Sequence, residues 1–296
     1  MIASPPAQIL RIALDVAKQR GAQNLELSGA GTEFCFYRAH RDGRWEGYRI
    51  ARSEVFNTAN NPGVSAEELQ HKELALSAWA LESGVPSAGP LGVVKHEQGP
   101  VLIMEFINDD DSAVDQFELG RLLARLHRAP PPENVDGIPK PTLVYAHIAQ
   151  RLTSRYRLLQ SSTSLPALPS QEHISSALEQ ELQRESLLHM DIRRQNIRAL
   201  RGEIKSLFDW SNALVAAPEV ELARINQYAA ISDNGLEYAT IRQGYLQAGG
   251  TMCETSEVWR WLSLDAAVML AGVFSSVAPD EKLKQLYLAR IQKLLH

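Results

Sequence analysis

The feature that most constrains this chain is a histidine–aspartate–asparagine segment followed by a lone aspartate. His189, Asp191 and Asn196 lie in the run LLHMDIRRQN, and Asp209 comes thirteen residues after the asparagine. Between Asn196 and Asp209, two short strand-like runs are joined by a turn that contains Gly202. A hairpin of this kind brings an asparagine and an aspartate close together, as a small hard cation with oxygen ligands requires. The segment therefore predicts a compact site of carboxylate and amide oxygens.

These side chains are the parts that phosphoryl transfer uses. One aspartate orients and deprotonates the attacking hydroxyl, while an Asn/Asp pair holds Mg²⁺ on the triphosphate. In this interpretation Asp191 is the base, and Asn196 and Asp209 are metal ligands. The competing interpretation makes His189 a core histidine and the two acids solvated loop residues. The number of coinciding parts favours the catalytic interpretation.

Composition limits the class of protein. The 296 residues are 45% apolar and 22% charged, which is typical of a globular chain with one large or two moderate domains. A net charge of -5 without a basic stripe argues against a nucleic-acid partner. Cys35 and Cys253 are too far apart in sequence to suggest a disulfide framework or metal-ligand spacing.

Targeting and membrane signals are weak in this sequence. Residues 1–6 lack the charged and apolar regions of a signal peptide. The longest apolar run, which extends from Ala266 to Val277, contains a Ser pair and is too short to span a bilayer. We therefore expect this run to be a buried helix, and we expect a cytoplasmic protein without a membrane partner.

Residue patterns predict a strand-rich first part of the chain. Proline and glycine bound an amphipathic helix over residues 5–20. Ser65 and Glu68 form a capping-box signature for a second helix, which runs to Gly84. Alternating apolar residues predict five strands, at 25–27, 34–37, 48–52, 92–95 and 101–106. The first part is therefore predicted to be a five-stranded sheet with two helices.

An Asn/Asp-rich break at residues 107–112 sets the predicted domain boundary. Residues 1–107 form the predicted small domain, and residues 108–296 form a mostly helical domain that carries Asp191. Helices are expected there at 118–127, 236–248, 254–275 and 280–295. The acidic run 109–111 is interpreted as a solvated linker that caps the next helix, with steering of a cationic substrate as the alternative. These patterns together predict an α+β chain.

The run around Asp191 resembles the catalytic loop of the aminoglycoside phosphotransferase and choline kinase superfamily, whose usual form is similar to HGDLHPGN. The resemblance covers residues 5 to about 230 and includes GVP at 84–86, GRLLARLH at 120–127 and PEVELA at 218–223. It implies a two-lobed, protein-kinase-like α+β fold. A small nucleotide-binding lobe with a five-stranded antiparallel sheet would precede a large, mostly helical lobe with the catalytic loop and acceptor pocket. Substitutions relative to the family loop stand at Met190, Arg193, Arg194 and Gln195.

The resemblance implies a cation and an acid in the small lobe. A cation on the third strand contacts the nucleotide phosphates. Arg52 is preferred for this role, and Arg49, on the opposite face of the same strand, is the alternative. Glu73 stands thirteen residues before Pro86, as the family's helix glutamate does, and is implied to hold that cation.

Two further segments are implied to bind the nucleotide. Ser28 and Gly29 open the turn SGAGT in the position of the phosphate-covering loop, although a plain hairpin turn has the same composition. Glu105 and Ile107 lie at the strand-to-linker transition, where backbone N–H and C=O groups of the hinge pair with adenine in the family. All four residues are therefore predicted cofactor-binding residues.

The resemblance assigns the chemistry to the second part of the chain. Asp191 is implied to be the base, and Arg193 to stabilise charge on the transferred group. Asn196 and Asp209 are implied Mg²⁺ ligands. Structural roles around the loop are implied for His127, His189 and Glu221.

The predicted function is a small-molecule kinase that uses ATP, or GTP, with Mg²⁺. Residues 141–296 contain 16 Lys and Arg and 16 Asp and Glu, so they lack the acidic surplus that a polycationic aminoglycoside needs. The expected hydroxyl acceptor is an amino alcohol, a sugar or a hydroxylated natural product. Trp259 and Trp261 could stack on a sugar or cage a choline head group, although such a pair is more often one core and one surface residue.

Two other functions remain open from the sequence. One is a nucleotide-binding pseudokinase that regulates a partner. The other is an unrelated helical hydrolase in which His189, Asp191 and Asp209 bind a transition metal. The identity of the acceptor and the oligomeric state are also left open.

Overall fold

A computed structural model describes residues 5–57, 61–133, 135–138, 141–182, 184–254 and 256–296. Residues 1–4, on which the expectation about the signal peptide partly rests, lie outside the described residues. The chain divides into two compact units. The first unit comprises Met1–Ala113, Pro132–Gly137 and Asn196–Asn212, and the second comprises Val114–Pro131, Ile138–Gln195 and Ala213–His296. The hairpin with Asn196 and Asp209 therefore groups with the strand-rich unit, whereas Asp191 groups with the helical one.

The helices and strands follow the predicted order, with strands concentrated in the first half of the chain. The helices are α1 (Ala7–Arg20), α2 (Ala66–Glu82), α3 (Gln116–Arg128), α4 (Pro141–Gln160), α5 (Gln171–Glu181), α6 (Glu219–Tyr228), α7 (Tyr238–Gln247), α8 (Glu257–Gly272) and α9 (Glu281–Leu295). The strands are β1 (Gln23–Ala30), β2 (Phe34–Arg41), β3 (Arg44–Ala51), β4 (Val55–Asn57), β5 (Pro62–Ser65), β6 (Pro90–Val94), β7 (Val101–Glu105), β8 (Ser186–Leu188), β9 (Ile197–Leu200), β10 (Glu203–Leu207) and β11 (Leu214–Ala216).

The first unit contains the predicted five-stranded antiparallel sheet. Its strand order is β1-β2-β3-β7-β6. Together with the helical second half, this sheet confirms the predicted α+β, kinase-like fold. A short two-stranded ladder of β4 and β5 was not predicted, because three or four residues are too few to show an alternating pattern.

The two faces of the sheet pack against different partners. On one face, Tyr48 and Ile50 of β3 join a buried cluster with Ile9, Ile12 and Val16 of α1. On the other face, Leu102 of β7 packs with Ala88 and Met104, and Leu74 of α2 lies against them. Arg49 is the register partner of Leu102, so its side chain lies on the α2 side of the sheet.

Helix α2 begins where its sequence predicts. The Ser65 hydroxyl accepts the N–H of Glu68 at 3.1 Å, and the Glu68 carboxylate accepts the N–H of Ser65 at 2.9 Å. Such a capping box satisfies two donors that a helix start leaves without partners, and loss of the cap residue typically costs about 1 kcal/mol. The cap fixes the start of the helix that carries Glu73.

In the second unit, α3 and α7 cross with their backbones in contact. A Cβ atom on Gly120 would lie 2.0 Å from the carbonyl oxygen of Ile241, and one on Gly244 would lie 2.0 Å from that of Phe117. Only glycine therefore fits at either position. The close crossing brings His127 of α3 within 3.1 Å of the Tyr245 hydroxyl of α7.

The most apolar part of the second unit is α8 and its continuation. The segment Glu257–Val277 is long and apolar enough to cross a membrane by length and composition, but 61% of its most apolar window is buried within the protein. That burial agrees with the predicted core helix as far as Ala271, but Ser275, Ser276 and Val277 are exposed, so the predicted burial of the end of the run is wrong. Trp259 and Trp261 are both buried, so the expectation of one surface tryptophan is wrong, because this helix is enclosed on both sides.

Candidate active site

Glu73 organises the polar centre of the first unit. Its carboxylate, which is 1% exposed, accepts the N–H of Asp209 at 2.9 Å and the N–H of Trp210 at 2.6 Å. Burial raises the pKa of the Glu73 carboxyl, while the charge of Arg49 and the two N–H donors act in the opposite direction. The glutamate of α2 therefore fixes the backbone that presents Asp209.

Arg49, rather than Arg52, is the cation of this centre. Arg49 is buried, and its Nη2 lies 3.3 Å from Oδ1 of Asp209 and 2.8 Å from the Ser211 hydroxyl. Its Nη1 donates to the side-chain oxygen of Gln70 at 3.0 Å. The guanidinium also stacks over the ring of Phe34 at 3.3 Å. These contacts place Arg49 between the α2 glutamate and the Asp209 carboxylate.

Arg52, which the sequence argument preferred as the phosphate-binding cation, instead contacts the turn between β1 and β2. Its Nε donates to the carbonyl oxygen of Gly31 at 2.8 Å, and its N–H donates to the carbonyl of Glu33 at 2.8 Å. Arg52 therefore braces the turn between β1 and β2. The sequence argument preferred Arg52, which shares a strand face with Tyr48 and Ile50. In the structure α1 covers that face, whereas Arg49 lies on the opposite, α2 side of the sheet. The contacts favour Arg49 for the cation of the centre, and a phosphate contact by either arginine remains a prediction.

Asn196 and Asp209 flank the end of one hairpin, as predicted from the spacing. The β9–β10 ladder ends at the pair Ile197–Leu207, and the N–H of Phe208 donates to the carbonyl of Asn196 at 3.2 Å. Asp209 has φ +69°, a left-handed conformation that costs a residue with a Cβ roughly 1–2 kcal/mol. The hydrogen bonds of Glu73 to this backbone offset that cost.

The donor chemistry of this pair fits Mg²⁺. Asn196 supplies an amide oxygen and Asp209 a carboxylate, and hard divalent cations bind such oxygen ligands together with phosphate and water. The Ser211 hydroxyl donates to Oδ1 of Asp209 at 2.7 Å and orients that carboxylate. In the part of the chain that the structure describes, no group of three or more His, Cys, Asp or Glu side chains converges on a metal position. The transition-metal hydrolase alternative therefore finds no support there.

A cavity in the first unit collects the remaining predicted nucleotide residues. Its walls are largely apolar or aromatic, and its lining includes Ser28, Phe36, Ala88, Met104, Glu105, Ile107, Arg198 and Phe208. Phe36 meets Phe208 edge to face with ring centroids 6.1 Å apart, and Arg198 stacks over the Phe208 ring at 4.3 Å. Both aromatic rings and one cation therefore border the same space as the predicted hinge residues.

Backbone hydrogen bonds fix the orientation of the predicted hinge. The N–H of Glu105 donates to the carbonyl of Gly89 at 2.7 Å, and the N–H of Phe106 donates to that of Trp45 at 3.2 Å. Because backbone groups alternate along an extended segment, the Phe106 bond to β3 turns the Glu105 carbonyl away from β3. Glu105 and Ile107 thus border the cavity, as expected for hinge residues.

Ser28 and Gly29 lie in β1 and not in the turn itself. Leu27 pairs with Tyr37 and Gly29 with Phe36, so Ser28 is an extra residue between two ladder pairs. The Ser28 hydroxyl donates to the carbonyl of Phe36 at 3.2 Å. Ser28 borders the cavity, whereas the turn toward β2 begins after Ala30.

The acidic run 109–111 has a structural place in the first unit. Asp109 pairs with Arg198 at 3.3 Å, and Asp110 accepts the N–H of Arg201 at 2.9 Å. The prediction that this run caps the next helix is wrong, because Asp115 is the residue that accepts the N–H groups at the start of α3. The run therefore joins the linker to the β9–β10 hairpin.

In the second unit, Asp191 is a buried carboxylate with a partner at each oxygen. The Tyr228 hydroxyl donates to Oδ1 at 3.1 Å, and Nη2 of Arg193 donates to Oδ2 at 3.1 Å. Burial raises the pKa of the Tyr228 phenol, and the negative charge of Asp191 raises it further. Tyr228 therefore remains a neutral donor, and it was missed because nothing in the sequence links it to a loop 37 residues away.

The loop before Asp191 is braced from α3 and α6. Met190 has φ +67° where the family loop has glycine. Its N–H donates to the Glu221 carboxylate, and its carbonyl accepts Nη1 of Arg224 at 2.9 Å. The other oxygen of Glu221 contacts Nε2 of His127 at 2.8 Å. The structural roles predicted for Glu221 and His127 are thus confirmed.

Charge and burial have opposite effects on the pKa of the Glu221 carboxyl. Burial acts to raise the pKa of this carboxyl, but hydrogen bonding and charge from His127, with further contributions from His189 and the Met190 N–H, lower it below its ordinary value. His189 is itself buried, and its Nδ1 accepts the N–H of Asp191 at 3.3 Å. His189 thus contacts the backbone of the loop, in agreement with its implied structural role.

The chain is similar to known proteins in sequence and in fold. The model of the phosphotransferase enzyme family matches residues 40–262, from the end of β2 to the first part of α8. No curated protein matches the chain significantly.

Several solved structures share the fold at low sequence identity. One is a thermostable mutant of the aminoglycoside phosphotransferase APH(4)-Ia, in a ternary complex with ADP and hygromycin B (15% identity, TM-score 0.63, covering 96% of this chain and 97% of the other). Another is the macrolide 2'-phosphotransferase MphH from Brachybacterium faecium, as apoenzyme (17% identity, TM-score 0.60, covering 97% of this chain and 98% of the other). A third is a candidate fructosamine-3-kinase from Haemophilus somnus 129PT (12% identity, TM-score 0.66, covering 96% of this chain and 97% of the other).

These structures support the architecture, and the family model supports the class of protein. The model match extends over well more than half of the chain and contains Glu73, Asp191, Asn196 and Asp209. The chain belongs to the phosphotransferase enzyme family.

Proposed function

We propose that this chain is a small-molecule kinase that transfers the γ-phosphate of ATP to a hydroxyl group of a small acceptor. The observation that carries the proposal is the buried Glu73–Arg49–Asp209 set of the first unit. A buried arginine and glutamate that hold one aspartate next to the hairpin of Asn196 form an arrangement suited to a triphosphate and its metal ion. Membership in the phosphotransferase family supports the same reaction class.

The cavity in the first unit supports a nucleotide as the phosphate donor. Its aromatic and apolar lining suits a purine ring, and the hinge backbone of Glu105 and Ile107 offers hydrogen-bonding groups at its border. A structure of the same fold contains ADP, which agrees with this proposal. ATP is the first nucleotide to test, and GTP the second.

Asn196 and Asp209 are the proposed Mg²⁺ ligands. When bound, the ion supplies positive charge to the phosphate oxygens. The chain's own contribution is orientation, because Ser211 and Arg49 hold Oδ1 of Asp209 and Glu73 holds its backbone. Such fixed groups stabilise charge without having to reorganise during the reaction.

Asp191 is the proposed base. The acceptor oxygen forms a bond to the γ-phosphorus, the bond from that phosphorus to the bridging oxygen of the β-phosphate breaks, and the hydroxyl proton moves to the Asp191 carboxylate. ADP and the phosphate ester are the products. Because the transition state of phosphoryl transfer is loose, positioning of the hydroxyl matters more than strong basicity. Arg193, at 3.1 Å from Oδ2, is placed to orient the carboxylate and to stabilise charge on the transferred group.

The acceptor class is proposed from the predicted range: an amino alcohol, a sugar or a hydroxylated natural product. One structure of the same fold is a complex with hygromycin B, and others are named for macrolides and fructosamines, which supports a hydroxyl compound as the acceptor. A cytoplasmic location, and the absence of nucleic-acid and membrane partners, belong to the same proposal.

The first experiment measures the melting temperature with ATP and Mg²⁺, alone and together. A ligand that binds only the folded state raises the melting temperature. We expect a metal-dependent rise in the wild type and its loss in Asp209→Asn. Asp42→Asn is the matched control, because Asp42 is an exposed turn residue with φ +50°, which asparagine tolerates.

The second step screens hydroxyl compounds for ATP-dependent phosphorylation, with Asp191→Asn as the inactive control. Product formation that disappears in this variant supports the kinase. Metal-dependent ATP binding without any product across a broad panel favours the pseudokinase alternative. No change in melting temperature at millimolar nucleotide would contradict both.

A further inference from the structure

A cation lies among the aromatic and apolar side chains of the cavity in the first unit. Arg198 of β9 lines this cavity together with Phe208, which directly follows β10. The guanidinium carbon of Arg198 lies 4.3 Å from the centre of the Phe208 ring, so the guanidinium covers that ring. Phe36 meets the same ring edge to face, at an interplanar angle of 82°. Arg198 therefore places a flat cation in a largely apolar wall.

The linker after β7 holds this guanidinium at the hinge end of the cavity. Nη1 of Arg198 lies 3.3 Å from Oδ2 of Asp109, which stands two residues after the predicted hinge. The other oxygen of Asp109 accepts the N–H of Asp111 at 2.9 Å. The N–H of Asp110 donates to the carbonyl of Ala199 at 3.2 Å and ties the linker backbone to β9. The position of Arg198 is thus fixed by the segment that leaves the hinge.

A second arginine of the lining belongs to the other end of the cavity. Nη2 of Arg49 lies 3.3 Å from Oδ1 of Asp209, the proposed metal ligand, whereas Arg198 pairs with Asp109 of the linker. In the proposed kinase the triphosphate lies at the metal ligands, and the base lies at the hinge. The two arginines therefore divide between the phosphate end and the base end.

The sheet leaves room for a flat ring in the same cavity. Gly47 of β3 lines the cavity and pairs with Met104 in the ladder with β7. A Cβ atom on Gly47 would meet nothing closer than the Met104 carbonyl oxygen at 3.8 Å and the Phe106 ring at 3.9 Å. Ala88 is a second small residue of the lining. Small residues at these positions leave space that a planar ring can occupy.

We propose that the purine base of the nucleotide stacks on the Arg198 guanidinium, which then lies between the Phe208 ring and the base. The inference rests on the proposed function, because the base belongs to the same nucleotide. Arginine stacks on aromatic rings through its planar, weakly hydrated cation, and bases stack on guanidinium planes in the same way. Phe208 and Asp109 are positioning residues, because they fix the guanidinium plane.

Stacking on Arg198 has a consequence for specificity. A stacked cation contacts the face of a base and not its edge, and every base has such a face. Arg198 should therefore contribute equally to the binding of adenine and guanine. An arginine that reads a base edge behaves differently, because it bonds the O6 and N7 acceptors of guanine.

The test separates the base from the phosphates by using each alone. Adenosine and guanosine carry a base without phosphate, and tripolyphosphate with Mg²⁺ carries phosphates without a base. The affinity of the full chain for each probe and for ATP is measured by calorimetric or NMR titration. We expect Arg198→Met to weaken binding of adenosine, guanosine and ATP by about threefold to thirtyfold, the range for a cation stacked on an aromatic ring. Tripolyphosphate should bind this variant as it binds the wild type.

Two further variants control for charge and for folding. Lys205→Met removes one positive charge from the same hairpin; Lys205 pairs with Glu203 at 2.7 Å and is not among the described residues that line the cavity. This variant should bind every probe as the wild type does. Arg198→Lys keeps a charge beside Asp109 but loses the plane, so we expect a folded protein with weakened adenosine binding. If Arg198→Met does not fold, wild-type affinity of Arg198→Lys for adenosine overturns the proposal.

The other outcomes are equally sharp. Unchanged adenosine binding in folded Arg198→Met overturns the proposal, and a lower melting temperature without ligand would then show that Arg198 only ties the linker to the hairpin. Loss of tripolyphosphate binding also overturns it, because Arg198 would then be a phosphate-binding residue. A loss confined to guanosine overturns it as well, since that result indicates recognition of the base edge.

Asp209→Asn tests the proposed function in the same experiment. This variant should lose binding of tripolyphosphate with Mg²⁺ and retain binding of adenosine, the reverse of Arg198→Met. If the wild type binds neither ATP nor the two kinds of probe, the proposed function is overturned together with this inference. If the wild type binds ATP with Mg²⁺ and Arg198→Met binds adenosine equally well, the kinase stands and only the stacking role of Arg198 is overturned.

Discussion

The hydroxyl of Tyr228 donates a hydrogen bond to Oδ1 of Asp191 at 3.1 Å, and both side chains are buried. Arg193 holds the second oxygen of the same carboxylate. The proposed base is thus fixed in orientation by a helix residue and a loop residue before any substrate is bound. Fixed orientation is the main contribution that a base makes to a loose phosphoryl-transfer transition state.

Removal of that hydroxyl should impair catalysis. Tyr228→Phe keeps the ring and loses one hydrogen bond to a charged group, which is worth about 1.5–3 kcal/mol. We expect kcat to fall at least tenfold, the equivalent of about 1.4 kcal/mol. The measurement is steady-state kcat.

A matched control separates this role from ordinary stabilisation. The Tyr156 hydroxyl also makes one buried hydrogen bond in the second unit, to the carbonyl of Pro166 at 2.7 Å. Tyr156→Phe should lower stability to a similar extent and leave kcat unchanged. A kcat that is equal in the Tyr228→Phe variant and the wild type would show that Tyr228 does not position the base.

The two arginines of β3 should differ in their effects. Arg49→Met leaves the buried carboxylate of Glu73 and the Asp209 carboxylate without their cation, and loss of one partner of a buried ion pair costs about 3–5 kcal/mol. We expect lower stability in urea and loss of the Mg²⁺–ATP effect on melting temperature. Arg52→Met removes a brace of the Gly31 turn and should cost about 1 kcal/mol with nucleotide binding largely retained. If the Mg²⁺–ATP effect on melting temperature were lost in Arg52→Met and retained in Arg49→Met, Arg52 would again be the preferred phosphate-binding cation.

Met190 tests how the chain tolerates a side chain where its family has glycine. Met190→Gly relieves a left-handed conformation worth roughly 1–2 kcal/mol, but it empties the space of a side chain that is 1% exposed. Loss of a buried methionine side chain costs about 2–5 kcal/mol, so packing should win and the variant should be less stable by about 1–3 kcal/mol. Because Glu221 and Arg224 bind the Met190 backbone, kcat should stay within about threefold of the wild type. Chemical denaturation and steady-state kinetics measure the two effects, and a gain in stability would contradict the packing argument.

Local sequence patterns predicted the elements of the fold well. The five-stranded sheet, the capping box of α2 and the β9–β10 hairpin each depend on neighbouring residues, and each is present. The side of the sheet that binds α1 depends on tertiary packing, so the pattern of β3 alone favoured Arg52 over Arg49. The apolar face of α1, with Ile9, Ile12 and Val16, packs on the face of β3 that carries Tyr48 and Ile50.

The sequence did not predict the side chains that reach the site through long-range hydrogen bonds. Tyr228 and Arg224 stand on α6, 37 and 34 residues from their partners in the Asp191 loop. Their spacing of four residues places them on one helix face, but only the packing of α6 shows that this face meets the loop. Lys72 was overlooked for a similar reason, since a lysine beside a functional glutamate on a helix is usually exposed.

Lys72 should make stability depend on pH in the alkaline range. Lys72 is 5% exposed, and its ammonium donates to the carbonyl of Ser211 at 3.0 Å. Burial lowers the pKa of Lys72 to about 8, while the charge of Glu73 acts against the shift. In the unfolded chain the pKa of a lysine is about 10.4, so between these values the unfolded chain binds more protons than the folded one. The free energy of unfolding contributed by Lys72 therefore rises as pH increases from about 8 to about 10.4.

The measurement compares the free energy of unfolding of the wild type and Lys72→Met from pH 7 to pH 10.5. A difference of about 2.4 pKa units corresponds to about 3 kcal/mol, so the stability of the wild type relative to the variant should rise by that amount across the window. Tyrosines titrate in the same range in both proteins, and their effect cancels in the difference. Lys18→Met, which removes an exposed lysine of α1, should give a curve parallel to that of the wild type. Parallel curves for Lys72→Met as well would show that the Lys72 ammonium is as well solvated in the folded protein as in the unfolded chain.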